Sequence, residues 1–514
     1  MRRKRWKKRA LTTPPSSSAE SKQQPKTAIE ASCEENIKKT LNVLHHSSDV
    51  KVSYFLDLPV PFAICWLLEI VDNQKVNESV IHPLVNNTDS DKENKSPVEL
   101  ADSISAPYHK ITDSIEEAAE SLIHGHVIVW LEGDKTAYCI SGLGSPTREI
   151  TEPSSQTVIR GPRLGFVESL QINTALLRRQ IRNTNLRFQS MYIGSDTQTE
   201  VQISYLTGKV DENVLKELYK RLHAIRAEEI YESGMLEEYL GTFGRKGSWY
   251  SPFPLAQSVE RPDAVASAIQ EGRIAVLVDN TPFVLIYPST FFQFFQSAED
   301  YYQRFDFSTL IRMLRFLAYF ISLYLPSLYV AITTFNPELI ATDLLVSLST
   351  QREGIPFPAF IEALLMEITF EILREGGIRM PRTIGPAISI VGAIVLGESA
   401  VMAGLVSPAV VIVVSLTAIS SFVAPSYDFS ISARMLRFFM MLFAASYGLF
   451  GILFFSLILL IHLVSLDSMG KPYMSPLAPF DLKGQKDTLL RLPFWLRNAP
   501  IFKGKTNKYR ENVE

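Results

Sequence analysis

Five glutamates and several arginines lie in the part of the sequence that is apolar enough to enter a lipid bilayer. The glutamates are Glu362, Glu367, Glu371, Glu375 and Glu398. A carboxylate at membrane depth costs on the order of 3 kcal/mol or more, so it persists where it faces an ionic partner or water. The pattern predicts a buried polar path. Candidates for the ion path or its gate are Glu362, Glu367, Glu371 and Glu398, and interface candidates are Arg352, Arg374, Arg379 and Arg382.

Small side chains recur every three or four residues between 383 and 405, and they form a ridge on one face of a helix. The ridge consists of Gly385, Ser389, Ala393, Gly397, Ala400 and Gly404. Such a face lets another helix or a narrow pore approach closely. Glu398 lies beside the ridge, about 5 Å along the axis past the helix midpoint. Simple helix packing and an aqueous conduit both remain open as interpretations.

The acidic segment from Pro358 to Gly376 is amphipathic. At 100° per residue, Glu367, Glu371 and Glu375 fall within a stripe of about 80°. The segment can lie at the membrane interface with a solvated acidic face, re-enter the bilayer, or line an aqueous cavity. Because basic residues place both ends of the chain in the cytoplasm, the number of crossings is even, and both four and six fit the sequence.

Three apolar runs are long enough to be membrane helices. They cover 316–335, 408–423 and 435–466. The last would reach about 48 Å as one straight helix, which exceeds a hydrocarbon core of about 30 Å. We therefore expect that helix to be strongly tilted, or broken near Gly448 and Gly451.

The polar first part of the chain has the pattern of an α/β protein, and it contains an internal sequence repeat. The sequence 75–81 matches 209–215, and the run 114–140 matches 263–287, each with a short helix, a glycine and two strands. The predicted fold is two related small α/β subdomains in tandem, followed by an all-α polytopic membrane domain. The expected boundaries are a basic disordered tail 1–35, subdomains 36–150 and 160–300, a membrane domain 301–466 and a basic cytoplasmic tail 467–514.

Catalytic and metal-binding motifs have little support in the sequence. The three cysteines, Cys33, Cys65 and Cys139, have no disulfide or zinc spacing, and His124 and His126 lack further ligands nearby. No nucleophile elbow, phosphate loop or dinucleotide fingerprint is present. The formal net charge of −3 gives no indication of nucleic-acid binding. We therefore expect no enzyme activity, no cofactor and no metal. Separately, the basic N-terminus lacks the apolar run of a secretory signal.

Several longer motifs resemble the A subunits of GerA-type spore germinant receptors. They are GPRLGFVE (161–168), ERPD (260–263), EGRIAVLVDNTPFVLI (271–286), EDYY (299–302), AITTFNPE (331–338), REGIPFPAFIEALLME (352–367), GESAVMAG (397–404) and SPA (407–409). The resemblance extends from about residue 41 to residue 500. The basic tail before Glu34 and the polar loop 86–97 depart from the family pattern.

This resemblance implies a multi-pass protein of the spore inner membrane, with its N-terminal and C-terminal regions in the cytoplasm. It implies a transporter-like B subunit that holds the nutrient, a lipoprotein C subunit, and an A subunit that oligomerises and passes ions when the nutrient arrives. Two other functions stay open. One is a protein similar to SpoVAF that assists ion or dipicolinic acid release, and the other is a stand-alone secondary transporter, although the apolar half shows no inverted repeat.

Overall fold

The computed structural model describes residues 27–89, 97–141, 144, 152–153, 156–242, 251–380, 395–481, 484–488 and 490–493. The chain divides into two compact units. The first extends to Ser145, apart from two short segments, His45–Asp49 and Leu68–Ile70, which belong to the second. The second unit holds the rest of the chain, so the second α/β subdomain and the apolar helices are parts of the same unit.

The first unit is a five-stranded antiparallel sheet with helices. Its elements are α1 Cys33–Val43, β1 Val50–Phe55, β2 Phe62–Leu67, α2 Asn73–Val76, a π-helical turn Asn77–Ile81, α3 His82–Asp89, α4 Pro97–Ala101, β3 Tyr108–Thr112, α5 Ile115–Ile123, β4 Val127–Leu131 and β5 Ala137–Ile140. The strand order is β1-β2-β4-β5-β3. The central strands β2 and β4 are buried along their whole length, which explains why they are continuously apolar in sequence.

The second unit begins with a sheet of the same design. Its elements are α6 Leu170–Gln180, β6 Leu186–Ile193, β7 Thr199–Leu206, α7 Glu212–Ala224, α8 Ser233–Thr242, β8 Gln257–Val259, α9 Pro262–Gln270, β9 Ile274–Val278 and β10 Val284–Tyr287. The strand order is β6-β7-β9-β10-β8, again with antiparallel neighbours. The two sheets therefore have identical connectivity, and the prediction of two related α/β subdomains is confirmed.

Two pairs of segments repeat in the sequence. One pair occupies equivalent positions in the two α/β subdomains, and the other does not. Gly125 after α5 and Gly272 after α9 both have positive φ, of 87° and 93°, and each reverses the chain into a strand hairpin. The shorter pair, 75–81 and 209–215, does not occupy equivalent positions in the two subdomains. The helix that follows the second strand is capped by Asp72 in the first subdomain and by Asp211 in the second. Residues 75–81 lie after the first cap, inside helical turns, whereas residues 209–215 include the second cap. A seven-residue match is short enough to arise by chance.

The remainder of the second unit is helical. It contains 3-10 turns at Phe291–Phe295 and Ala298–Tyr301, α10 Phe305–Phe335, a 3-10 turn Pro337–Leu339, α11 Thr342–Arg352, α12 Ala359–Arg379, α13 at residues 395–402, α14 Pro408–Phe422, α15 Tyr427–Ser465, a short hairpin of β11 Asp467–Ser468 with β12 Lys471–Pro472, and a 3-10 turn Gly484–Asp487. Within the described residues, α10 and α15 are long and apolar enough to cross a membrane, and α14 is a shorter apolar helix. The expectation of four or six crossings stays a prediction.

Two helix boundaries differ from the sequence expectation. Helix α10 begins at Phe305 and α15 begins at Tyr427, each well before its apolar run. In these leading segments, Arg312 of α10 is buried against Asp300, and Phe429 of α15 packs on Phe291 and Phe294. The chain at Asn336 and Pro337 forms a 3-10 turn, and the next α-helix begins only at Thr342. Hydropathy alone marks the apolar part of a helix and misses its amphipathic start.

A cluster of aromatic rings joins α10, α15 and the turn at Phe291–Phe295. Phe429 at the start of α15 stacks on Tyr319 of α10, with ring centroids 4.7 Å apart, and on Phe294 at 5.1 Å. It also meets Phe291 edge-on at 5.3 Å. Phe429 is fully buried, and burying a side chain of this size stabilises a fold by about 2–3 kcal/mol. The ring cluster therefore holds the start of α15 against the middle of α10.

The long helix α15 is broken where the sequence suggested. Gly448 has φ 60° and ψ −140°, which lies outside the helical region and is accessible almost only to glycine. A Cβ atom at this position would lie 2.8 Å from the Cβ atom of Phe335, at the end of α10. The break thus serves both the backbone path of α15 and its close approach to α10.

Replacing Gly448 with alanine should destabilise the protein, because a side chain there brings backbone strain of about 1–3 kcal/mol and a clash with Phe335. We expect a lower thermal unfolding midpoint for Gly448→Ala in detergent. The matched control is Gly376→Ala in α12, where a Cβ atom meets nothing within 4 Å. Equal midpoints for the two variants would show that the break at Gly448 is not required.

Candidate functional site

The glutamates of α12 become progressively more exposed along the helix. Glu362 and Glu367 in its first half are 0% and 1% exposed, whereas Glu371 is half-buried and Glu375 is exposed. The first two glutamates therefore face protein and not solvent. The interpretation of α12 as an interfacial helix with a solvated acidic face is wrong for this half of the helix, because the neighbouring helices supply cationic partners that a single helical pattern cannot reveal.

Glu362 links three helices. One of its carboxylate oxygens accepts a hydrogen bond from Arg352 Nε at the end of α11, at 3.2 Å. Its other oxygen accepts from the backbone N–H of Ser407 at 3.0 Å, and Ser407 is the N-cap of α14. A carboxylate near a helix N-terminus is also favoured by the helix dipole. Glu362 therefore fixes the start of α14 relative to α11 and α12.

Glu367 and Glu371 join α12 to α15 through two arginines. Arg437 Nη2 lies 2.9 Å from Glu367 Oε2 and 3.0 Å from Glu371 Oε1. Arg434 makes a second pair with Glu371, with Nε 3.1 Å from Oε1. Arg437 and Glu367 are both 1% exposed, so their charges are removed from solvent and depend on each other. Their pairing supplies the ionic partner that an embedded carboxylate requires.

The arginines proposed as interface residues have different surroundings. Arg374 is buried, donates to the hydroxyl of Ser421 in α14, and lies with its guanidinium carbon 4.1 Å from the ring centroid of Phe422. Arg379 is exposed and pairs with Glu375 one turn away. Arg352 and Arg374 thus make their described contacts within the chain, and Arg382 lies outside the described residues.

The buried ion pairs are incompletely hydrogen-bonded. Among the residues that the structure describes, Glu367 Oε1, Arg437 Nε and Nη1, and Arg374 Nε are buried and have no hydrogen-bond partner. A buried polar atom without a partner costs about 1–3 kcal/mol. The cluster therefore has the capacity to bind water or to exchange partners in another state of the helices.

The remaining ion-path candidates lie between positions 385 and 404, and three of them, Gly385, Ser389 and Ala393, are outside the described residues. Gly397 is buried, and a Cβ atom there would lie 3.4 Å from Val411 of α14, so this part of the ridge packs within the chain. Ala400 is half-buried, and Gly404 has φ 64° just past the helix. Glu398 is exposed and has no ion-pair partner among the described residues, and Met402 one turn further is 75% exposed. This face of α13 therefore presents one carboxylate among apolar side chains.

A second charge cluster lies at the base of α10, and the sequence analysis missed it. Asp300 Oδ2 is 3.3 Å from Arg312 Nη2, and Asp300 Oδ1 is 2.8 Å from Arg315 Nη1. Arg312 also reaches Asp487 Oδ1 at 3.2 Å. The sequence signal was present in the order Ser297, then Asp300 three residues later, which forms a capping box before α10.

A third polar group sits where α8 approaches the start of α15. Glu237 is half-buried and accepts a hydrogen bond from the backbone N–H of Ala256 at 3.3 Å. Burial, followed by the neighbouring charge of Asp428, raises the pKa of Glu237 to about 7. Periodicity gave no indication of this site, because Glu237 and Asp428 are remote in sequence.

Comparison of the sequence with known proteins gives a family match and several similar relatives. The family described as Bacillus/Clostridium GerA spore germination protein matches residues 35–500. The chain is 44% identical over 490 residues to spore germination protein KA of Bacillus subtilis (strain 168), covering 95% of this chain and 89% of that protein. It is 38% identical over 467 residues to spore germination protein A1 of the same organism, covering 91% and 94%.

One solved structure is also similar. It is the crystal structure of the N-terminal domain of the A subunit of the Bacillus megaterium spore germinant receptor GerK3, with a TM-score of 0.41 and 28% sequence identity, covering 52% of this chain and 99% of that one. A tandem α/β region followed by two helices that are long and apolar enough to cross a membrane indicates a membrane-associated protein. The chain belongs to the GerA family of spore germination proteins.

Breaking the Arg437 pairing should destabilise the helical part strongly. Arg437→Met leaves the buried Glu367 without its cation, and we expect a loss of about 3 kcal/mol, seen as a lower unfolding midpoint in detergent. Adding Glu367→Gln to this variant should recover part of the loss, because the uncompensated charge is removed. The exposed Arg379→Met is the control and should change stability by about 0.5 kcal/mol or less. No recovery in the double variant would contradict the pairing.

The Glu237 carboxyl group should make stability depend on pH. Its pKa is about 7 in the folded protein and 4.5 ordinarily, so the folded state binds the proton more tightly between these values. The stability that Glu237 contributes should therefore be fully present below about pH 4.5 and be lost as pH rises to 7, by up to about 3 kcal/mol. Glu237→Gln should flatten this profile, whereas the exposed neighbour variant Glu238→Gln should retain it. Unfolding midpoints measured across this range test both.

Proposed function

We propose that this protein is the A subunit of a nutrient germinant receptor in the spore inner membrane. In this proposal it crosses the membrane several times, keeps both terminal regions in the cytoplasm, and oligomerises to contribute a nutrient-gated ion path that triggers germination. Its partners are a transporter-like B subunit that binds the nutrient and a lipoprotein C subunit. Membership of the GerA family supports the role in germination.

The observation that carries the ion path is the contrast between Glu398 and the glutamates of α12. Glu362 and Glu367 are buried and paired within the chain, so their charges are already compensated. Glu398 is exposed on α13, where its neighbours Leu396 and Met402 are also exposed. A carboxylate on an apolar helix face is unfavourable next to lipid, and it becomes favourable next to a sister subunit or in an aqueous passage.

The packing of Gly397 supports the choice of the face of α13 that lines the proposed passage. Gly397 packs toward α14, and Glu398, about 100° further round the helix, lies on the adjacent exposed side. Copies of the chain arranged with these faces together would place a ring of carboxylates around a common axis. Rings of acidic side chains are a recurrent means of selecting cations.

The arginine pairs supply an element that can adopt two states. Arg437 is shared between Glu367 and Glu371, and Arg434 is available to Glu371 as well. A small shift of α15 against α12 can exchange these partners without leaving a bare charge. A partner subunit that binds its ligand in only one of the two arrangements would shift their populations.

Replacing Glu398 should impair the ion path while preserving the fold. We expect Glu398→Gln spores to lose most nutrient-triggered cation release, at least tenfold in initial rate, because the carboxylate charge no longer attracts the cation. The protein level in the spore membrane should be unchanged. The matched control is Glu375→Gln, which removes an exposed charge whose partner is Arg379 on the same helix.

Three results would contradict the proposed ion path. Normal cation release from Glu398→Gln spores at normal abundance would remove Glu398 from the path. Solute uptake by the reconstituted chain alone, coupled to an ion gradient, would instead indicate a secondary transporter. Release that is lost for every trigger, including triggers that bypass nutrients, would indicate an accessory release protein.

A further inference from the structure

The two halves of α15 fold back on each other at Gly448. The rings of Phe443 and Phe455 are stacked with their centroids 5.0 Å apart. In one continuous helix, the twelve-residue separation of these positions would correspond to about 18 Å along the axis. Helix α15 is therefore a hairpin, and we call residues 427–447 its first arm and residues 449–465 its second arm.

The open end of this hairpin holds a buried ring from the second α/β subdomain. Phe253, in the connection 251–256 that leads into β8, is 4% exposed. Its ring centroid lies 6.3 Å from that of Phe429 at the start of the first arm, and 6.2 Å from that of His462 near the end of the second arm. One ring therefore packs against two positions of α15 that are 33 residues apart in the chain.

Two hydrogen bonds hold the same connection to both arms. Ser251 Oγ lies 3.0 Å from Nε2 of His462 in the second arm. The hydroxyl of Ser432 in the first arm donates to the backbone oxygen of Pro252. Because hydrogen bonds are directional, these two contacts restrict sliding of the connection along either arm.

The connection is also tied to the α/β subdomain. The backbone N–H of Ala256 donates to Glu237 of α8 at 3.3 Å, and the strand that follows, β8, pairs with β10. The hydroxyl of Ser468, just after the second arm, donates to the backbone oxygen of Leu255 at 2.7 Å and accepts from the backbone N–H of Ser289 at 3.0 Å. The connection therefore links the sheet to both ends of the hairpin.

The two arms carry contacts to different helices. The first arm bears Arg437, which pairs with Glu367 of α12 at 2.9 Å. The second arm bears Ser456, whose hydroxyl accepts from the Tyr324 hydroxyl of α10 at 3.0 Å. A change in the separation of the arms would therefore move the partner of α12 relative to α10.

We propose that residues 251–256 act as a wedge through which the second α/β subdomain sets the separation of the two arms of α15. The ring of Phe253 fills space that both arms line, and a packed protein interior does not leave such space empty. With the wedge in place, Arg437 is held where it pairs with Glu367. When the subdomain withdraws the wedge, the arms close at their open end and that pairing is displaced.

This regulation rests on the proposed function where it concerns germination. The wedge would pass a conformational change of the α/β subdomain to the arginine pairs that supply the two-state element. The separation of the arms is a property of the chain itself, so it can be measured without a partner subunit.

The test measures that separation by pulsed electron–electron double resonance in the full chain purified in detergent. Spin labels are attached to Met435→Cys in the first arm and Ile461→Cys in the second, two exposed positions. The three native cysteines are buried and react slowly with the label, and dilution with unlabelled chain removes distances between copies. Phe253→Ala should shorten the most probable distance between the labels by roughly 3–4 Å, the contact distance that a packed ring occupies.

The matched control is Phe292→Ala. It removes another buried ring of the same aromatic cluster, whose ring contacts are with Phe291 and Phe316. We expect it to lower the thermal unfolding midpoint, as Phe253→Ala does, and to leave the distance between the labels unchanged. Phe253→Leu keeps part of the volume and should give an intermediate distance if the alanine variant does not fold.

Two outcomes would overturn the wedge. One is an unchanged distance between the labels in the folded variant with the smaller side chain at position 253. The other is an equal shortening in Phe292→Ala, which would show a general loosening of the aromatic cluster.

A second measurement reports on the transmission to α12. If the wedge holds Arg437 against Glu367, its removal displaces that pairing, so the midpoint shift caused by Arg437→Met should be at least halved in the Phe253→Ala background. Fully additive shifts would overturn the proposal, because they would show that the wedge does not act on the pairing. Neither measurement uses ion flux, a nutrient or a partner subunit, so their failure leaves the proposed ion path unaffected.

Discussion

Buried pairing of arginine with carboxylate is the constraint on which the second unit depends. Arg437 with Glu367 among the apolar helices, and Arg312 with Asp300 at the base of α10, are almost completely removed from solvent. A single ion in such surroundings would cost several kcal/mol, and the pairs reduce that cost by placing the opposite charge within about 3 Å. The apolar helices can carry charge only because the fold brings these partners together.

The same pairs also set the order in which the helices pack. Glu362 joins α12 to α11 and the N-terminus of α14, and Arg437 joins α12 to α15. The aromatic cluster around Phe429 then fixes α15 to α10 and to the turn that leaves the second sheet. Since nonpolar packing is not directional, the ion pairs define the register of the helices, and the aromatic cluster adds buried apolar contact.

The duplication of the α/β subdomain has an asymmetric outcome. Both copies have the same strand order, but only the second belongs to the same compact unit as the helices. In that copy the helix α9 and the strand β8 border a cavity of about 170 Å³ lined in part by Asp263 and Arg273, and the turns that follow the sheet lead directly into α10. A repeated fold has therefore acquired a polar cavity at the place where it connects to the membrane-associated part.

The sequence by itself determined which elements form and which residues are costly to bury. The alternation of apolar strands and short helices gave the two sheets, the glycines after α5 and α9 marked the hairpins, and the length of the last apolar run required a break near Gly448. The sequence also showed that the glutamates between 362 and 398 carry a high free-energy cost of burial, because the cost of a charge in an apolar segment is a local property.

Only the tertiary structure decided what satisfies those charges. Glu367 meets an arginine 70 positions later in the chain, and Arg312 meets Asp487 at a still greater separation, so no local pattern could identify either partner. Periodicity reports on one element at a time, whereas a buried charge is stabilised by atoms from several.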